Sequence, residues 1–302
     1  MKLTLHFGAH KTASSYLQRT LAHNRDLLRR NGVGYVHLAM MRQKVTNPLA
    51  WARNFPDDKA RVKASKTRAA NFLQRMWGER LLGDGETPQR HLLLSDENLI
   101  GVPREMVNWR RLYPTLTERM EVLQPMLGDA VPRIYLCIRN PVTYAPSIFC
   151  EALVARNAAE FDLRSYRKDW LKHQPRWSNV IGKLRHTFPN AEIRVWDFAD
   201  FRALESRILH EMADVPNGET FEPLTDIIRP SITDKAARKL LWIQRWKGNQ
   251  ARFEALPEVR RQYADGPKLQ LWKSKDLPLL EDLYAEDLAG IAAMENVVLI
   301  RP

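Results

Sequence analysis

Four short strand-like stretches, at residues 2–7, 91–95, 132–138 and 192–196, are separated by helical stretches of a dozen residues or more. Such spacing implies right-handed crossovers and an α/β fold with a central, mainly parallel sheet flanked by helices. The third run is the strongest signal, because Ile134, Tyr135, Leu136, Cys137 and Ile138 form a continuous apolar stretch of the kind buried on both faces. In sheets of this type ligands sit at the carboxyl ends of the strands, so the residues that follow each run are the first place to look for chemistry.

The rest of the chain reads as one domain over residues 1–302, with helical elaborations at about 42–82 and 204–302. After Ser14, the spacing of Leu17, Leu21, Leu27 and Leu28 predicts an amphipathic helix that stops at Gly32-Val33-Gly34. Gly83-Asp84-Gly85 and Pro88 punctuate the end of a long basic segment. Ser231-Ile232-Thr233-Asp234 resembles a capping box opening a helix through Trp246. With 44% hydrophobic and 27% charged residues, nothing suggests a disordered or fibrous chain.

The 47 basic and 35 acidic residues leave a net charge of +12, which favours anionic partners without choosing among them. Nucleic acid, an anionic sugar polymer and a multiply phosphorylated nucleotide all fit. Cys137 and Cys150 are the only cysteines and form no CxxC pair, which argues against a disulfide framework and fits a reducing, cytoplasmic setting. The eight histidines show no HExxH pattern, so no metal is demanded. No apolar run of eighteen residues and no leader-like segment occurs, so neither export nor a membrane partner is expected.

Gly8-Ala9-His10-Lys11-Thr12-Ala13-Ser14-Ser15 lies where the first strand hands over to a helix. Backbone N–H groups and the positive end of that helix can converge there on a phosphate. Lys11 adds a mobile cation, and Thr12, Ser14 and Ser15 add hydroxyls. The loop departs from the GxxxxGK[ST] pattern, since His10 stands where a glycine should precede the lysine, which argues against a nucleoside triphosphatase.

The stretch Leu5 to Gln18 instead resembles the 5'-phosphosulfate loop of sulfotransferases that use 3'-phosphoadenosine 5'-phosphosulfate (PAPS), where Lys is followed by Ser or Thr, Gly, Thr and Thr. Here Ala13 takes the place of the glycine, and Ser14 and Ser15 replace the threonines. A positive φ at Ala13 would strain the loop by roughly 1 kcal/mol. Ile134 to Pro141 followed by Ser147 is similar to the family's 3'-phosphate signature, in which a serine lies eight positions after the arginine, here Arg139. A guanidinium fork and a hydroxyl two helical turns on can grip one phosphate from two sides.

The resemblance implies a P-loop-like sulfotransferase fold, PAPS as co-substrate with the 3',5'-bisphosphate PAP as product, and no metal. It gives Lys11 the task of neutralising the leaving oxygen, with Gly8, Thr12, Ala13, Ser14, Ser15, Arg139 and Ser147 holding the donor and Tyr16 placed near adenine. The acceptor hydroxyl needs a base; Glu97 comes first, with Asp96 and His10 as the open alternatives. The resemblance leans toward a carbohydrate acceptor, and the basic run Arg53, Lys59, Arg61, Lys63, Lys66 and Arg68 could line its cleft. A nucleotide-dependent kinase and a non-catalytic anion- or nucleic-acid-binding protein are the rival readings. Trp242 and Trp246, at helical spacing, read as core, which speaks against nucleic acid. Lys235, Arg238 and Lys239 are weak candidates for a segment covering the nucleotide.

Overall fold

A computed structural model describes residues 1–78, 88–156, 162–224 and 231–302. The described strands are β1 (Lys2–His6), β2 (Val33–Val36), β3 (His91–Ser95), β4 (Pro132–Ile138), β5 (Glu192–Asp197) and β6 (Val297–Leu299). They form one all-parallel sheet in the order β2-β3-β1-β4-β5-β6. Around it lie α1 (Ser14–His23), α2 (Arg25–Arg30), α3 (Leu38–Met41), α4 (Asn47–Asn54), α5 (Lys59–Gly78), α6 (Pro103–Trp109) and α7 (Leu116–Leu123). There follow α8 (Pro141–Val154), α9 (Leu163–His173), α10 (Trp177–Thr187), α11 (Phe201–Ala213), α12 (Asp234–Gln262) and α13 (Leu277–Ala292).

Alternation along the central strands sends neighbours to opposite faces, and both faces are covered. Leu5, Leu94, Ile134 and Leu136 enter one apolar cluster, while Leu93, Tyr135 and Cys137 enter a second with Leu17 and Leu21 of α1. Each fully buried leucine stabilises the sheet–helix contact by about 2 kcal/mol. Ala69 and Phe72 of α5, and Leu240 and Ile291 of α12 and α13, join the first cluster. The elaborations at 42–82 and 204–302 therefore share a core with the sheet, although residues 79–82 and the Gly83-Asp84-Gly85 punctuation lie outside the described residues.

Four local expectations need correction. The helix predicted from Ser14 through Leu28 is two helices, because the Asn24 side chain caps the Thr20 carbonyl at 2.9 Å and also bonds the backbone of Glu222. Gly32 does stop α2, at φ 67°, but Val33–Val36 then pairs with β3 as a strand too short for periodicity to reveal. The cap of α12 is Thr233, whose hydroxyl accepts from the Ala236 N–H at 3.2 Å; Ser231 is not the cap, and Gly248 at φ 81° and ψ 177° breaks the helix two residues past Trp246. Trp242 and Trp246 are not core: they are 50% and 67% exposed, with cations lying over both rings, while Leu240 and Ile243 supply the buried face.

The strand order places the crevice. From β1 the chain crosses to β2 on one side, and from β4 it crosses to β5 on the other. The carboxyl ends of β1 and β4 are therefore adjacent strand ends whose connections diverge, which is the topological switch point of an open parallel sheet.

Candidate anion site at the switch point

The loop after β1 is tightly wound. Gly8 sits at φ 44°, and a Cβ there would lie 2.3 Å from Ser14 Oγ, so no other residue fits without moving the loop. Lys11 and Ala13 also have positive φ, 63° and 64°. The glycine-like conformation that the sequence comparison required at Ala13 is thus adopted by alanine, in a strained form. Thr12 Oγ1 and Ser14 Oγ both donate inward to the Ala9 carbonyl, at 2.5 and 3.1 Å, and shape the loop. Ser15 is exposed, and Lys11, Ala13 and Tyr16 are partly so. No side chain caps α1, and in its first turn the Tyr16 and Leu17 N–H groups donate to the Ala13 carbonyl.

Arg139 leaves the end of β4 and reaches this loop. Its Nη1 donates to the Lys11 carbonyl at 2.7 Å, its Nε donates to Thr143 Oγ1 at 2.9 Å, and the guanidinium lies 4.8 Å from the Phe198 ring centroid. Trp177 Nε1 donates to the Arg139 carbonyl at 2.9 Å and fixes the backbone from which the side chain extends. Among the described residues, two of its five guanidinium N–H bonds are used. Ser147 lies on α8, partly exposed, and its hydroxyl has no partner among the described residues. One turn further along that helix, Glu151 Oε2 pairs with Lys11 Nζ at 3.4 Å. Tyr16 turns away from these groups, its ring edge-on to Phe201 and its hydroxyl bonded to Glu205.

At the end of β3, Asp96 and Glu97 form a buried acidic pair held by Arg42, whose Nε donates to Asp96 Oδ1 at 3.4 Å and whose Nη2 donates to Glu97 Oε1 at 2.8 Å. Thr46 donates to Asp96 Oδ2 at 2.6 Å, and Gln18 of α1 donates to Glu97 Oε2 at 2.8 Å. Burial works to raise the Glu97 pKa, but the Arg42 guanidinium and the Gln18 amide donor favour the carboxylate, and the group lies below the ordinary carboxylate value. Asp96 goes the other way: burial and the neighbouring Glu97 charge raise it. The two carboxylates are therefore pushed apart, with Glu97 the more acidic member.

His10 bridges the loop to this pair. Its Nε2 lies 2.9 Å from Asn98 Oδ1 and its Nδ1 3.1 Å from the Tyr113 hydroxyl, an arrangement satisfied by the Nε2–H tautomer. Burial lowers its pKa, keeping the ring neutral, and Glu97 opposes that shift. Sequence reading brought Lys11, His10, Glu97 and Arg139 to one sheet edge but missed Arg42, Gln18, Asn98, Tyr113 and Glu151. Only Glu151 left a trace, four residues after Ser147 and hence on the same helix face. The weak covering candidates are accounted for locally: Arg238 pairs with Asp234, and Lys239 lies over Trp242.

Among the described residues no three His, Cys, Asp or Glu converge as metal ligands, and no helix is long and apolar enough to cross a membrane. Comparison with known proteins finds no family model that matches this sequence and no curated relative that aligns with it, so the arrangement of loop, arginine and carboxylates is what the functional reading rests on.

Proposed function

We propose that this chain is a PAPS-dependent sulfotransferase of the P-loop-like sulfotransferase fold, acting in the cytoplasm on an acceptor hydroxyl. What carries the reading is the bond from Arg139 to the Lys11 carbonyl, which joins two anion-seeking loops from different strands at the crevice between β1 and β4. A donor phosphorylated at both ends of one adenosine needs two such loops side by side. The buried, unpaired Cys137 and Cys150 are in keeping with a reducing compartment.

In this reading the α1 N-terminus and Lys11 hold the 5'-phosphosulfate, and the free N–H bonds of Arg139 with the Ser147 hydroxyl hold the 3'-phosphate. The acceptor oxygen attacks sulfur in line, the bond from sulfur to the bridging oxygen breaks, and Lys11 neutralises the charge that collects on the departing phosphate oxygen. Glu97, kept anionic by Arg42 and Gln18, takes the acceptor proton. Lys11 first has to leave Glu151, a partly exposed pair whose loss costs about 1 kcal/mol or less.

Calorimetric titration with PAP and, separately, with ATP and Mg²⁺ tests this directly. PAP is expected to bind at one site per chain and more tightly than ATP, and Lys11→Ala is expected to lose turnover by on the order of a hundredfold while still folding. Absence of PAP binding, or Mg²⁺-dependent turnover of ATP, overturns the proposal and favours a phosphotransferase.

A further inference from the structure

Helix α5 carries Arg61, Arg68 and Arg75 seven residues apart. Seven residues are almost two turns, so the three guanidinium groups share one face at intervals of about 10.5 Å. With Lys44 they line an open cleft of about 1190 Å³ between this helix and the Arg42–Thr46 turn with α4, and among the described residues no carboxylate lines it. None of these four cations has a carboxylate partner among the described residues. Elsewhere several arginines that face other elements are paired with carboxylates: Arg53 and Arg119 with Glu105, Arg167 with Asp276, and Arg194 with Glu211.

The cleft adds amides to its charge, from Gln43, Asn47, Asn71 and Gln74. Of its two aromatic residues Phe72 belongs to the core, and Trp51 is already engaged: the Arg61 guanidinium lies 4.2 Å from its ring centroid, and Phe55 stacks on the same ring at 5.1 Å. Trp51 therefore positions a cation. One side of the Arg42–Thr46 turn grips Asp96 and Glu97 through Arg42 and Thr46, while Gln43 and Lys44 from the same turn face the cleft.

We propose that this cleft is a track for a linear, hydroxyl-rich polyanion, a polysaccharide bearing carboxylate or sulfate groups, with the arginine ladder taking the charges and the amides the hydroxyls. That the track delivers an acceptor hydroxyl to Glu97 rests on the sulfotransferase reading; the binding itself does not.

The experiment titrates the full chain with polygalacturonate, heparin, uncharged dextran and a single-stranded oligothymidylate over a range of salt concentrations. Polygalacturonate or heparin is expected to bind and dextran not to. The triple variant R61Q/R68Q/R75Q is expected to lose at least a hundredfold in affinity, with a salt slope shallower by about 2 to 3, since each arginine releases about one counterion. Arg68→Glu, a single change at the exposed middle of the ladder, is expected to lose about tenfold and serves if the triple variant does not fold. PAP binding by both variants should match the parent. Polyanion binding without PAP binding keeps the track and removes its role in transfer. Undiminished binding by the folded variants, equal binding of dextran, or oligothymidylate binding as tight as that of either polysaccharide overturns the proposal.

Discussion

Replacing Ala13 by glycine tests the strained loop with a sign that ordinary reasoning gets backwards. An alanine at φ 64° and ψ 14° sits in the left-handed region, where an L residue carries about 1 to 2 kcal/mol of steric strain. Glycine relieves that strain but adds unfolded-state entropy worth about 0.4 to 1 kcal/mol, and losing a partly buried methyl costs a few tenths more. The net effect of Ala13→Gly is then between about −0.3 and +1.3 kcal/mol of stability. The same substitution at Ala64, exposed in the interior of α5, has no strain to relieve and should cost about 1 kcal/mol. Urea melts of the two variants compare identical chemical changes, and Ala13→Gly should be the more stable by roughly 1 kcal/mol or more. If Ala13→Gly loses as much as Ala64→Gly, the loop does not hold the left-handed conformation, and the proposed phosphosulfate-binding role of the loop loses its conformational basis.

Glu97→Gln would set an amide donor against Arg42 Nη2 or Gln18 Nε2, so it should cost about 1 to 3 kcal/mol in a urea melt whether or not Glu97 is the base. The pH–rate profile separates the two roles: with Glu97 as base its acid limb lies below the usual carboxylate range, and a limb between that range and the ordinary histidine value would point to His10. Glu151→Gln frees Lys11 and removes a negative charge beside the anion loop, so PAP should bind up to about fivefold tighter by calorimetry. Burial lowers the pKa of both His6 and His91 to about 4, so each is neutral in the fold and titrates near 6.5 when unfolded. The unfolded chain then binds more protons between those values, and stability present above pH 6.5 should fall as pH drops toward 4, by roughly 3 kcal/mol per group. A urea midpoint that stays flat from pH 7 to 4.5 would contradict this.

The sequence determined the framework. Continuous apolar runs at 91–95 and 132–138 can be buried only on both faces of a sheet, and the structure has strands at His91–Ser95 and Pro132–Ile138. Spacing also placed Lys11, Glu97 and Arg139 just past strand ends, since a strand-to-helix handover is a local event written in adjacent residues. Short strands escaped for the converse reason: Val33–Val36 and Val297–Leu299 are too brief for a period and exist because β3 and β5 offer them partners. The outward face of Trp242 and Trp246 was equally hidden, because spacing tells which residues share a helix face but not which face meets the core.

Only the tertiary structure decided how the candidate site is wired. Arg42 clamps carboxylates more than fifty positions away, Glu151 meets Lys11 across 140, and Arg139 reaches the Lys11 carbonyl across 128. Such contacts depend on the strand order that sets β1 between β3 and β4, and crossover direction leaves no mark in the residues that later touch.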